Sequence, residues 1–169
     1  MKTRIVILSG ERGVGKTTVC RKTIARARDA GLTCGGILTV RAESGARIAV
    51  DVRSGAERRL TTSAAGVRQG RYTFDPAVLA WGSRLLAQAL PCDLFVVDEI
   101  GPLEIRRGEG WRNALDLLHG ERFRLALAVV RPALVTDVQF LLPTSATVLK
   151  ATPENRNQLP EIIAGMIEE

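Results

Sequence analysis

The sequence predicts one α/β domain over residues 1–169, with helices on both faces of a mostly parallel sheet and an inserted antiparallel ribbon. Three observations predict this fold class. The length of 169 residues is that of a single domain of ordinary size. Short apolar runs alternate with amphipathic stretches along the chain, which is typical of a three-layer fold. A hydrophobic content of 46% with 25% charged residues excludes a disordered chain.

The first half of the chain predicts two buried strands, one helix and the ribbon. Residues 4–9 form an apolar, β-branched run, and residues 36–40 form a second one. Between them, apolar or small residues recur at three- and four-residue spacing and predict a helix over residues 16–30. Alternation over residues 47–52, a Ser54-Gly55 turn and a return strand over residues 58–62 predict the ribbon.

The second half predicts three more helices and three more strands. Asp75 and Pro76 provide an N-cap and a first-turn proline for one helix. The other predicted elements are strands over residues 94–97, 123–130 and 148–150 and helices over residues 110–118 and 154–167. In the last helix, Leu159, Ile162, Ile163 and Met166 are expected to face inward. Parallel strands place a ligand crevice at their carboxyl ends.

One loop carries a strong chemical signature. Residues 10–17 fit G-x-x-x-x-G-K-[ST] between a predicted strand and a predicted helix. The backbone amides of such a loop and the following helix N-terminus bind phosphate oxygens. We expect Lys16 to bridge the β- and γ-phosphates, Thr17 to bind magnesium and Thr18 to lie beside the α-phosphate. The pattern predicts a P-loop NTPase fold and nucleoside triphosphates as ligands, bound by Gly10, Glu11, Arg12, Gly13, Val14, Gly15, Lys16, Thr17 and Thr18.

A pair of carboxylates follows the apolar residues 94–97. Asp98 is predicted to hold Mg²⁺ together with Thr17, as a Walker-B carboxylate does. Glu99 is predicted to act as the catalytic base that orients and deprotonates a water molecule for attack on the γ-phosphate. The alternative role for Glu99 is a charge at a helix N-terminus or a loop salt bridge. The sequence contains no N/T-K-x-D segment, which disfavours a guanine-specific regulatory GTPase.

Composition excludes several other classes. The longest apolar runs fall short of the roughly 18 residues that a membrane-spanning helix needs, so no membrane partner is expected. Three cysteines without C-x-x-C spacing disfavour a disulfide framework or a zinc site and favour the cytoplasm. The net charge of +6 attracts phosphate-rich partners, but four Phe, two Trp and one Tyr offer few stacking platforms, which argues against a nucleic-acid partner.

Beyond the P-loop, four segments resemble the small nucleoside-triphosphatases of the THEP, or cancer-related nucleoside-triphosphatase, family. They are Gly35-Gly36-Ile37-Leu38-Thr39-Val40-Arg41, Gly70-Arg71-Tyr72, Asp98-Glu99-Ile100-Gly101-Pro102-Leu103-Glu104 and Thr152-Pro153-Glu154-Asn155-Arg156-Asn157-Gln158-Leu159. The resemblance runs nearly end to end. It implies a RecA-like sheet and slow, magnesium-dependent hydrolysis of several nucleoside triphosphates to diphosphates.

The sequence departs from the family pattern at two places. Pro102-Leu103 stands where the family usually has Lys-Met, and Val130-Arg131-Pro132 stands where it often has Ile-Pro. Arg131 is therefore either a guanidinium that stabilises transition-state charge or a surface arginine. Glu104 belongs to the signature loop, but spacing does not distinguish a carboxylate that supports the metal site from an anchor of the loop.

Two alternatives to hydrolysis use the same P-loop. In a small nucleotide or metabolite kinase, Asp98 or Glu99 would take a proton from an acceptor hydroxyl. Arginines such as Arg106, Arg107 or Arg131 would then clamp the product. In a nucleotide-controlled binding module, slow hydrolysis would reset a ribbon or loop that contacts a protein partner.

Overall fold

Strands and helices alternate through the molecule as predicted. In a computed structural model, which describes residues 3–143 and 145–169, the strands are β1 (Arg4–Ser9), β2 (Cys34–Arg41), β3 (Arg47–Asp51), β4 (Glu57–Arg59), β5 (Val67–Gln69), β6 (Tyr72–Phe74), β7 (Cys92–Ile100), β8 (Phe123–Val130) and β9 (Thr147–Lys150). The α-helices are α1 (Lys16–Asp29), α2 (Pro76–Gln88), α3 (Pro102–Arg106), α4 (Asn113–His119), α5 (Val135–Leu141) and α6 (Leu159–Glu168).

Seven of the strands form one sheet in the order β4-β3-β2-β7-β8-β1-β9. The strands from β2 to β9 in that order are parallel, whereas β3 and β4 extend one edge as an antiparallel pair. Strand β8 separates β1, which leads into the P-loop, from β7, which carries the carboxylate pair. Because parallel strands share their carboxyl ends, both motifs lie at the same edge of the sheet.

The two faces of the sheet bury separate cores, as expected for a three-layer fold. Ile5 and Ile7 of β1 pack on one face with residues of α2 and α4, whereas Val6 and Leu8 pack on the other with residues of α1 and α6. Successive side chains along a strand point to opposite faces of the sheet. Because both faces of β1 are covered, its sequence is a continuous apolar run. The predicted α/β fold class is confirmed.

The predicted ribbon forms, but it belongs to the main sheet. β3 pairs with β2 and β4 pairs with β3, so the ribbon lengthens the sheet at its edge. A second ribbon, made of β5 and β6, was not predicted. Each of its strands has only three residues, too few for a two-residue periodicity to be distinguished from a loop.

Two predicted helices begin later than expected, and two short helices were missed. α6 begins at Leu159 rather than at residue 154, because Pro160 fits only the first turn of a helix. The preceding turns are held by Asn155, whose side chain accepts from the Thr152 amide and donates to the Lys150 carbonyl, both at 2.8 Å. Ile162, expected to face inward, is 50% exposed. α4 also begins later than predicted, at residue 113 rather than 110. The two helices that the sequence did not predict are α3 and α5.

Among the described residues, no helix is both long enough and apolar enough to cross a bilayer. Cys20, Cys34 and Cys92 are buried free thiols.

Candidate active site

The P-loop joins β1 to α1 in a conformation that only glycine adopts readily. Gly10 has a φ of 152°, and a Cβ atom there would lie 2.7 Å from the Ala151 carbonyl oxygen. Gly15, with a φ of 103°, is the N-cap residue of α1. The loop therefore turns directly onto the N-terminus of α1, where unpaired amide groups and the helix dipole favour an anion.

Lys16 arches back over the loop that precedes it. Its Nζ donates hydrogen bonds to the carbonyl oxygens of Gly10, at 2.6 Å, and Glu11, at 2.9 Å. Burial lowers the pKa of Lys16, whereas the nearby Glu99 and Asp98 carboxylates raise it. The ammonium group is thus held on the loop, in the same cleft as the carboxylate pair, where a β- or γ-phosphate would contact it.

Thr17 and Asp98 meet at the base of the cleft. The Thr17 hydroxyl donates to Asp98 Oδ2 at 2.7 Å, and Asp98 is only 4% exposed. Burial raises the pKa of Asp98 to about 7, although the bond from Thr17 lowers it. Thr39 of β2, whose contact was not predicted, donates from its hydroxyl to the Asp98 carbonyl at 2.7 Å. The carboxylate and the hydroxyl present oxygen atoms together at one point of the cleft.

Glu99 occupies a more open position than Asp98. Its side chain is 33% exposed, and Oε1 lies 3.2 Å from Nη2 of Arg131, which is 37% exposed. The Asp98–Glu99 peptide bond is cis, and the register of β7 against β8 shifts between Asp98 and Ile100. Arg131 follows β8, so the ion pair joins the carboxyl ends of two neighbouring strands beside the P-loop.

Glu104 contacts backbone amides. Its Oε2 accepts from the Gly101 amide at 3.1 Å, and its Oε1 accepts from the Trp111 amide at 3.3 Å. The side chain is 7% exposed, and burial raises its pKa to about 7. These bonds tie the loop after β7 to the segment before α4, which is the geometry of a loop anchor.

The remaining predicted P-loop residues differ in their exposure to solvent. Glu11, Arg12, Gly13 and Thr18 are exposed at the cleft, whereas the Val14 side chain is buried in the core on the α1 face. A second depression of about 310 Å³ adjoins the loop and is lined by Gly15, Thr18, Val19, Lys22, Arg156 and Asn157.

Arg156 lines this depression. It was not among the predicted site residues, although residues 152–159 form one of the four segments that resemble the family. Its Nη1 donates to the Val14 carbonyl at 3.2 Å.

Comparison with known proteins identifies the family. Residues 5–164 match the NTPase family. The chain belongs to this family.

Among curated relatives, the nucleoside-triphosphatase THEP1 of Caldivirga maquilingensis is 34% identical over 73% of this chain and 74% of its own length. The protein of the same name from Hyperthermus butylicus is 33% identical over 92% of this chain and 87% of its own. These matches confirm the family that the sequence motifs indicated.

A solved structure confirms the fold of this NTPase. The crystal structure of THEP1 from the hyperthermophile Aquifex aeolicus superposes on this chain with a TM-score of 0.78. The alignment covers 98% of this chain and 99% of the Aquifex chain. The two sequences are 21% identical.

The arginines named for a kinase lie apart in this NTPase. Arg106 and Arg107 are exposed and do not line the cleft, and Arg107 instead pairs with Glu109 at 3.1 Å. The expectation that they face the site was therefore wrong, because Arg106 ends α3, Arg107 follows it, and both are exposed to solvent. Arg131, Arg41 and Arg47 are the arginines that line the cleft beyond the P-loop.

Proposed function

We propose that this protein is a magnesium-dependent nucleoside-triphosphate hydrolase of broad base specificity that releases a nucleoside diphosphate and phosphate. Membership of the NTPase family supports hydrolysis itself. The observation that carries the mechanism is the position of Glu99, which is partly exposed, follows the buried Asp98 and lines the same cleft as Lys16. A base placed there can act on a water molecule near the γ-phosphate.

The donor set fits magnesium. Mg²⁺ prefers hard oxygen ligands and is commonly held by one or two carboxylates together with substrate phosphates. Thr17 Oγ1 and Asp98 Oδ2 lie 2.7 Å apart, and the buried Asp98 carboxylate has no cation bonded to it among the described residues. These two residues would hold the ion, directly or through water, and the bound ion would neutralise charge on the phosphates.

The other residues would position and activate the reactants. Lys16 and the loop amides would bind the β- and γ-phosphates and hold them in line with the attacking water. Glu99 would accept the proton of that water as its oxygen forms a bond to the γ-phosphorus and the bond to the bridging oxygen breaks. Arg131, which reaches Glu99 at 3.2 Å, would orient this carboxylate and face the transferring phosphoryl group.

The depression beside the P-loop supports broad base specificity. It offers the cationic side chains of Lys22 and Arg156 and the amide of Asn157 next to Thr18. A guanidinium plane stacks on any base, and cations bind phosphates that all nucleoside triphosphates share. We place the enzyme in the cytoplasm, where reduced thiols such as the three buried cysteines persist.

The test is phosphate release from ATP, GTP, CTP and UTP, with and without magnesium, by the native protein and Glu99→Gln. We expect magnesium-dependent release from all four, and a loss of at least about 100-fold in the variant with nucleotide binding retained. Glu109→Gln is the matched control, because Glu109 pairs with Arg107 outside the cleft.

Absence of release by the native protein despite nucleotide binding would overturn the proposal. Release restricted to one base would overturn broad specificity alone.

A further inference from the structure

The backbone of Gly101 borders a small space between the proposed base and the second ribbon. A Cβ atom at Gly101 would lie 3.8 Å from Oε1 of Glu99 and 3.9 Å from Nε2 of Gln69. Oε2 of Glu104 would lie 3.7 Å from the same atom. Three polar side chains therefore converge on the position where any other residue would carry its own side chain. All four residues line the cleft.

The fold itself does not require a glycine at this position. Gly101 has a φ of −126° and a ψ of −165°, an extended conformation that every residue except proline adopts readily. The three distances are those of ordinary van der Waals contacts, so a methyl group would fit without displacing a neighbour. The absence of a side chain at Gly101 therefore keeps open the space between Glu99 and Gln69.

The second ribbon directs Gln69 toward this space. Gln69 lies opposite Tyr72 in the pairing of β5 with β6, and Val67 lies opposite Phe74. Residues that lie opposite each other, like every second residue along a strand, share one face of a ribbon. Val67 and Phe74 pack on the core of the main sheet. The face that carries Gln69 is therefore directed toward the body of the protein.

The amide of Gln69 is available for a ligand. The side chain is half-buried and forms no hydrogen bond within residues 3–143 and 145–169. Its neighbours have partners, because Glu104 accepts from the Gly101 amide and Glu99 pairs with Arg131. A carboxamide that is partly removed from bulk water gains from a hydrogen bond to an ordered water molecule.

The space lies at the end of the cleft where we expect the γ-phosphate. The sugar and base of a nucleotide are attached to the α-phosphate, which we expect beside Thr18. The β- and γ-phosphates would therefore separate the sugar and base from Glu99 and from the space at Gly101. Room for one methyl group suits a water molecule and disfavours a larger nucleophile.

We propose that the space at Gly101 holds the water molecule that attacks the γ-phosphate, and that Gln69 positions this water against Glu99. Nε2 of Gln69 donates a hydrogen bond to the water oxygen, and the Glu99 carboxylate accepts one of the water hydrogens. The second lone pair of the oxygen is then directed at the phosphorus. The proposal rests on the proposed function, because it requires Glu99 as the base and a triphosphate on the P-loop.

The role of Gln69 in the step is to hold the water, and the amide gains and loses no proton. The water oxygen forms a bond to the γ-phosphorus while one of its protons passes to Glu99. The bond from the phosphorus to the bridging oxygen breaks, and its electron pair remains on the departing diphosphate. Fixing the nucleophile in line lowers the entropic part of the barrier, so loss of the amide affects turnover more than nucleotide binding.

The first variant removes the amide and keeps a side chain of similar size. We expect Gln69→Leu to lower the turnover number for magnesium-dependent phosphate release from ATP at least about tenfold and to leave ATP affinity within about twofold. Arg68→Ala is the matched control, because Arg68 is an exposed neighbour on β5 that does not line the cleft. The control should leave the turnover number unchanged.

The second variant fills the space. We expect Gly101→Ala to lower the turnover number at least about tenfold, because the methyl group occupies the position of the water. The melting temperature should stay within about 3 °C of the native value, since no contact of the methyl group is close. Gly165→Ala is the matched control, at a glycine of α6 with no atom within 4 Å of the new methyl group.

A transition-state analogue distinguishes water positioning from a structural role. ADP, magnesium and aluminium fluoride together mimic the transferring phosphoryl group with the attacking water in line. Both Gln69→Leu and Gly101→Ala should weaken this complex at least about tenfold and leave the affinity for a non-hydrolysable triphosphate within about twofold. Calorimetric titration measures both affinities.

A turnover number within twofold of the native value in Gln69→Leu would overturn the role of Gln69. The same result in Gly101→Ala would overturn the position of the water. Equal weakening of the analogue and of the non-hydrolysable triphosphate would also overturn the proposal, since it would show a general effect on binding. Absence of phosphate release by the native protein would instead count against the proposed hydrolysis itself.

Discussion

Nη2 of Arg131 lies 3.2 Å from Oε1 of Glu99, so the guanidinium that follows β8 is paired with the carboxylate proposed as the base. Both side chains are about one-third exposed, and an ion pair with that exposure contributes little to stability. The pair instead fixes the direction of Glu99 within the cleft. Arg131 lines the cleft, and the proposed mechanism assigns it the stabilisation of transition-state charge.

We predict that Arg131→Ala lowers the turnover number for phosphate release at least tenfold and leaves nucleotide affinity within about twofold, because the lost charge acts at the transferring group. Steady-state kinetics and equilibrium binding measure the two effects. Arg124→Ala is the control, since Arg124 lies on β8, the strand that Arg131 follows, but pairs with Asp93, away from the cleft. A turnover number within twofold of the native value would remove Arg131 from the mechanism.

Thr17→Val should raise the magnesium concentration required for half-maximal phosphate release by roughly tenfold, because valine keeps the shape of threonine without the hydroxyl oxygen. A magnesium titration at saturating nucleotide measures this change. Thr23→Val provides a matched substitution in the same helix, where the hydroxyl bonds only to the Val19 carbonyl. Equal magnesium requirements in the two variants would show that Thr17 is not a ligand.

The buried Glu104 predicts a pH dependence of stability. Its pKa is about 7 in the folded protein and 4.5 in an unfolded chain, so the folded state retains a proton that the unfolded state has released. The contribution of this group to stability therefore falls as pH rises from about 4.5 to 7 and is constant above that range. Relative to the native protein, Glu104→Gln should gain up to about 2.5 kcal/mol in free energy of unfolding between pH 5 and pH 8.

Denaturant unfolding of the nucleotide-free protein at several pH values measures this difference. Glu109→Gln, at a paired surface glutamate, should show no such trend. A constant difference between Glu104→Gln and the native protein across the range would contradict the prediction.

Close packing between α2 and Trp111 predicts a large effect of one methyl group. A Cβ atom at Gly82 would lie 2.3 Å from Nε1 of Trp111 and 3.0 Å from the Ile37 side chain. We expect Gly82→Ala to lower the free energy of unfolding by about 1–3 kcal/mol through overpacking. Gly165→Ala in α6, where no atom lies within 4 Å of the new methyl group, should raise it by up to about 1 kcal/mol. Thermal or denaturant unfolding compares the two, and equal effects would contradict this packing.

Long, regular elements were predictable from the sequence because their own residues determine them. Residues 123–130 form β8 with the predicted bounds, and Asp75 caps α2 by accepting from the Ala77 amide at 2.8 Å. Both cases depend on local signals, an apolar run and a capping side chain. In contrast, the second ribbon and α3 depend on contacts with distant parts of the chain, which a window of sequence does not contain.

The candidate site also contains features that the sequence predicted and features that it could not predict. The P-loop residues and the Asp98-Glu99 pair are contiguous in sequence and lie at one edge of the sheet, as the parallel topology required. The bond from Thr39 to the Asp98 carbonyl spans two strands and has no sequence signature. The hydrogen bonds from the Gly101 and Trp111 amides to Glu104 could not be predicted either, because every residue except proline carries the same backbone N–H donor.

The bonds of Lys16 to its own loop have a consequence for ligand affinity. An ammonium group has three donors, and the carbonyl oxygens of Gly10 and Glu11 use two of them. One donor remains for a phosphate oxygen, so the same side chain can keep the loop in shape and contact the ligand. The loop is thus preorganised. The free energy of nucleotide binding therefore does not have to offset a loss of conformational entropy from ordering the loop.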